Sequence, residues 1–192
     1  MARIGLSDFR YGILTEANDG TPSYGVAKTP GHAISFKCDI TNNSAKLYGD
    51  NVLIESDTSF QSGSCTMGID KDDIETMADL LGHTIETSGT GASATKTLIR
   101  NANDVSPYVG VGRVLELVIN NVKQYKVEFL HKVKFAEASQ DNATKGESVE
   151  FGTYELTGDV SALANGDWSK AQIFSTKAQA IAYLEGLFTA SV

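Results

Sequence analysis

Three aspartates close together, Asp70, Asp72 and Asp73, offer the oxygen donors with which a calcium loop begins. The glycine and closing glutamate of such a loop do not follow at the required offsets. A charged first helical turn, favoured by the helix dipole, accounts for them better. The run GTGASATKT (89–97) ends in the Lys-Thr of a phosphate-binding loop, but Thr95 stands where a glycine must let the backbone wrap the phosphate. Gly110-Val-Gly112 lacks the third glycine of a dinucleotide fingerprint and lies inside a strand-like pattern, so a bend or a close approach is the expectation. His32, His83 and His131 lie in unrelated segments without a second histidine at metal-binding spacing. His131 occupies an inward strand phase, the place of a satisfied core or interface histidine. No serine sits in a nucleophile elbow, neither cysteine has a catalytic neighbour, and no carboxylate pair stands out. Cys38 and Cys65 are too few for a disulfide framework or a four-ligand zinc site, and each falls on an apolar phase that suits a buried, reduced thiol. The residues therefore specify no catalytic centre, cofactor or metal site. Function is expected in surfaces.

The chain has 192 residues, with 16 Lys+Arg against 24 Asp+Glu, a formal charge of −8. That is the wrong sign for a general nucleic-acid binder, which needs a basic face to displace phosphate counterions. Eighteen glycines against three prolines suit a turn-rich β protein of one domain. The opening lacks the apolar run of a signal peptide, and no later stretch is long and apolar enough to span a bilayer, so synthesis in the cytoplasm and no membrane partner are expected.

The elements that would position any site follow from periodicity. Tyr125, Val127, Phe129, His131, Val133 and Phe135 alternate with Lys126, Glu128, Leu130, Lys132 and Lys134, the period of a half-buried strand. Val109 to Ile119 alternates likewise, and Asn120-Asn121 between them suits a tight turn, predicting a long hairpin over 108–135. A strand is predicted over 147–157 with a bulge beside Gly152, its glutamates set to meet the lysines of 126–134. Further strands are predicted over 33–40 and 64–69. Two helices are predicted: one capped by Asp70, with Ile74, Met77, Ala78 and Leu81 in phase and Gly82 ending it, and one opened by Thr176 and Gln179, with Ala180, Ile181, Leu184, Leu187 and Phe188 as its stripe. The fold class is mainly β, with one or two short flanking α-helices. Residues 11–30, 41–63 and 87–97 carry no clear period, and 87–97 reads as a flexible loop.

Several stretches, in this order and spacing, resemble the major tail protein (tail tube protein) family of long, non-contractile-tailed bacteriophages: ARIGLSDFRYGILTE (2–16), ESDTSFQSGSCTMGID (55–70), NANDVSPYVGVGRV (101–114), YKVEFLHKVKFAEASQDNATKGESVEFGTYELTG (125–158) and TKAQAIAYLEGLF (176–188). The resemblance implies a single β-sandwich domain over 1–192 that forms hexameric rings, stacked into a tube whose joined sheets line the lumen. It implies a virion location, partners in the tape-measure and tail terminator or initiator proteins, and double-stranded DNA passing through without specific binding. Residues 1–30 are then an N-terminal arm and 41–63 an extended inter-ring loop, with Tyr48, Leu53, Ile54 and Phe60 as contact candidates by position and type. The charge that argues against a DNA-binding protein suits a DNA-conducting one.

Two other readings compete. An acidic β-sandwich that binds carbohydrate or a cell surface should display aromatic platforms, whereas Trp168, the single tryptophan, sits in an Asn-Gly-Asp-Trp turn typical of a packing anchor. A hydrolase would need polar groups converging in a concave site.

Overall fold

The computed structural model describes residues 2–17, 19–91, 94–137 and 153–188. In chain order the elements are β1 (Ala2–Glu16), β2 (Pro22–Tyr24), β3 (Ala33–Asn42), β4 (Lys46–Gly49), β5 (Val52–Ser56), β6 (Phe60–Ile69), α1 (Ile74–Leu81), β7 (Thr84–Ser88), β8 (Thr95–Ile99), β9 (Tyr108–Ile119), β10 (Val122–Phe135), β11 (Tyr154–Ser161), β12 (Ser169–Phe174) and α2 (Lys177–Gly186). The fold is mainly β: one large antiparallel sheet with two short helices, consistent with a β-sandwich.

The expected long hairpin is β9–β10, and Asn120 and Asn121 turn it at φ of 51° and 62°. From it the sheet runs β2-β1-β9-β10-β11-β6-β3. β10 is shared between two neighbours: Tyr125 to Leu130 pair with β12, and Lys132 to Phe135 with β11. The register against β9 shifts between Leu130 and Val133, so the strand's inward face changes over at that point. Val127 and Phe129 join a cluster under α2 with Ala180, Leu184 and Phe188. Leu130, Val133 and Phe135 join a second cluster with Met67, Met77, Leu80 and Leu156. β3 comes back over β1, where Phe36 meets Phe9 with ring centroids 5.9 Å apart.

Four expectations change. Residues 2–16 are no arm: β1 pairs with β9 along its length, and Phe9 and Tyr11 are core residues. Asp70 does not cap α1; Asp73 does, accepting from the Thr76 amide, while Asp70 accepts from the His32 amide at 2.7 Å. Gly82 ends that helix at φ 76°, as expected. Within 87–97, Thr87 and Ser88 of β7 pair with Lys96 and Thr95 of β8, and Thr97 pairs with Glu86, so both ends of that segment are strand. The segment 147–152, its glutamates and the bulge at Gly152 lie outside the described residues. The rest of that strand extends to Ser161, and its Glu155 lies opposite Gly68 of β6 rather than a lysine.

Gly110 and Gly112 are explained by side chains rather than a second backbone. A Cβ on Gly110 would stand 2.6 Å from Tyr24 and 2.7 Å from Phe129, and one on Gly112 would strike Leu184. The two glycines let the α2 cluster seat against β9.

Candidate assembly surface

β3 and β6 continue past the sheet as a ladder. The Asn43 amide donates to the Ser59 carbonyl at 2.8 Å, and the Asp57 amide to that of Ala45 at 2.8 Å. β4 and β5 extend this ladder into a hairpin that pairs with nothing else among the described residues. Asp50 and Asn51 turn it, both at positive φ (49° and 63°), a geometry that Asp and Asn tolerate. Gly49 leaves room for the Ile54 side chain against the turn.

The hairpin's apolar residues face solvent. Leu47, Tyr48, Val52, Leu53 and Ile54 are each between 47% and 64% exposed. Tyr48 and Leu53 are cross-strand partners. Such a concentration on one two-stranded ribbon exceeds the scattered apolar exposure normal for a surface, and a lone hairpin is only marginally stable without further packing. Of the four contact candidates, Tyr48, Leu53 and Ile54 lie together here. Phe60 does not: it stands at the hairpin's foot, stacked on Trp168. Leu47 and Val52 belong to the same surface. Position and type marked their neighbours, but without the strand register nothing distinguished these two.

The residues once considered for chemistry have structural partners. His131 Nδ1 and the Tyr24 hydroxyl lie 2.8 Å apart, and burial holds the imidazole pKa below its usual value. His83 stands between Asp104 on Nδ1 at 2.8 Å and Glu137 on Nε2 at 2.9 Å. These carboxylates take opposite edges of the ring, so the three cannot converge on one ion. Among the described residues no group of His, Cys, Asp and Glu is placed to hold a metal. Cys38 and Cys65 are free thiols and direct partners across β3–β6, and burial pushes Cys65 up to about 12. Among the described residues no helix is long and apolar enough to cross a membrane.

No protein-family model matches the chain, and no curated protein matches it.

Proposed function

We propose that the protein is a structural virion component, the major tail tube subunit of a long-tailed bacteriophage. In this reading it is not an enzyme; it assembles into stacked hexameric rings that conduct genomic DNA. The observation that carries the reading is the β4–β5 hairpin, which holds five large apolar side chains out in solvent at the position expected of an inter-ring loop. A second feature supports lateral assembly. β3 and β12 each have a single ladder partner among the described residues, leaving edges that a neighbouring copy's strand can pair with. Head-to-tail contacts that close by rotation make rings, and those that repeat along an axis make filaments; a tube needs both.

The carbohydrate-binding alternative draws no support from Trp168, whose ring is stacked on Phe60 at 4.7 Å. The test is negative-stain electron microscopy of the purified chain at high concentration. Rings or tubes are expected. Replacing residues 45–57 by a two-residue turn keeps Phe60 in place and should leave a folded subunit that no longer elongates. Normal tubes from that variant would remove the hairpin from the assembly, and a strictly monomeric wild-type chain would sink the reading.

A further inference from the structure

Where β10 is shared between β11 and β12, a cavity of about 370 Å³ opens between β3, β10 and β12. Three cations line it: Arg3 from β1, Arg113 from β9 and Lys126 from β10. Among its described walls the carboxylate is Glu128, and it is already engaged. It accepts from Lys126 at 2.6 Å and from Arg113 Nη2, lying directly opposite Arg113 in the β9–β10 ladder. Burial alone would raise the Glu128 pKa, but these two cations hold it below the usual carboxylate value. Arg3 enters no ion pair among the described residues, whereas Lys170, in register with Phe129, turns to the other face of the sheet and lies 5.9 Å from the ring centre of Tyr183.

The guanidinium of Arg113 is the central group. The residue is only 8% exposed, and its plane lies over Phe36 at 3.8 Å. Nη2 serves Glu128, but Nη1 is buried without an acceptor among the described residues. A buried donor left in that state is costly, and a guanidinium is built to meet an oxyanion with two parallel N–H groups. Two further cations, Arg3 and Lys126, beside a buried, half-satisfied guanidinium in a chain of net charge −8 form a positive focus on an otherwise acidic molecule. Phe36 and Trp168 add apolar walls, the combination typical of small-ligand sites.

We propose that this cavity is a binding site for an oxyanion of the carboxylate or phosphate class. Arg113 supplies the directional donor. Arg3 and Lys126 supply the charge, and Glu128, neutralised by its two partners, holds the guanidinium in place. The proposal does not depend on tube assembly. The same chemistry has two sources: a free polyanion in solution, or an acidic side chain of a second copy of the chain.

Trp168 is the only tryptophan and lines the cavity, so its fluorescence reports on occupancy. With ionic strength held constant, inorganic pyrophosphate should change its emission saturably in the wild-type chain. Arg3→Ala, at an exposed position, should raise the apparent Kd about tenfold, the loss of one charged contact, whereas Lys170→Ala, whose ammonium lies over Tyr183 on the other face, should leave it unchanged. Arg113→Lys, checked for folding by circular dichroism, keeps the charge but loses the fork and should weaken binding further. A pyrophosphate response assigns the site to a free polyanion. An emission change on raising protein concentration alone, lost in Arg3→Ala, assigns it to a second copy. No saturable change in either arm overturns the proposal, and so does an unchanged Kd in both Arg3→Ala and Arg113→Lys.

Discussion

The indole of Trp168 lies flat on the ring of Phe60, with centroids 4.7 Å apart and 3° between the planes. Phe60 opens β6 where the projecting hairpin rejoins the sheet, and Trp168 immediately precedes β12. Their stack joins the hairpin's foot to the sheet's outer edge, so the hairpin leaves the body from a braced position.

That stack should be measurable as a coupling. Phe60→Ala and Trp168→Ala are each expected to destabilise the chain by roughly 1–3 kcal/mol in urea unfolding. The double variant should lose about 0.5–1.5 kcal/mol less than the sum of the two. Strict additivity would mean that the rings touch without supporting each other.

Gly110→Ala tests the close seating of the α2 cluster on β9. Its methyl would overlap Tyr24 and Phe129, an overpacking expected to cost about 1–3 kcal/mol, read from the denaturation midpoint. Gly166→Ala provides a contrast. Nothing lies within 4 Å of a Cβ there, but its φ of 90° is the left-handed region, so any loss reports backbone strain rather than crowding.

Asp73→Ala removes the α1 cap and should cost about 1 kcal/mol with a small loss of helical circular dichroism. Asp70→Ala should leave the helical signal unchanged, because that side chain serves His32 instead. An equal loss of helix in the two variants would return the cap to Asp70.

Acid should destabilise the fold in two stages. The pKa of His131 is lowered by burial, so its contribution is present above the unfolded value of 6.5 and fades as pH falls below that. Glu128 is also lowered relative to 4.5; burial opposes this, and Lys126 and Arg113 more than offset it. Its contribution is therefore lost only in more acidic solution, as pH falls through the folded-state value. Urea midpoints measured from pH 8 to 3 should fall across both windows, and His131→Gln should flatten the first alone. A wild-type curve flat between pH 7 and 5 would show that His131 is as easily protonated folded as unfolded.

The parts that were legible in the sequence are those where one face is buried and the other is not. β9–β10 alternates over more than a dozen residues and shows its turn in Asn120-Asn121. β1 was missed because both of its faces are covered. Phe9 and Tyr11 serve one cluster while Leu14 serves the other, and bulges near Ile4 and Asp8 break the period of two. β12 was missed for the opposite reason: its residues, Ile173 included, are mostly exposed, so no apolar phase marks it. The hairpin at 46–56 looked like a polar loop with apolar interruptions because its apolar residues face outward rather than toward a core. The cavity beside Arg113 left no trace in spacing. Arg3, Arg113 and Lys126 come from three strands and meet only through register.

The division of β10 between two neighbours has a mechanical consequence. Its first half is clamped between β9 and β12 and its second between β9 and β11, so a pull along the strand loads three ladders in shear at once. The packing beneath α2 and the packing beside α1 are fastened to the same beam and cannot slip independently. The chain should therefore resist stretching along β10 far better than peeling at β2 or β3, and bend as a stiff body rather than at a hinge between its two cores.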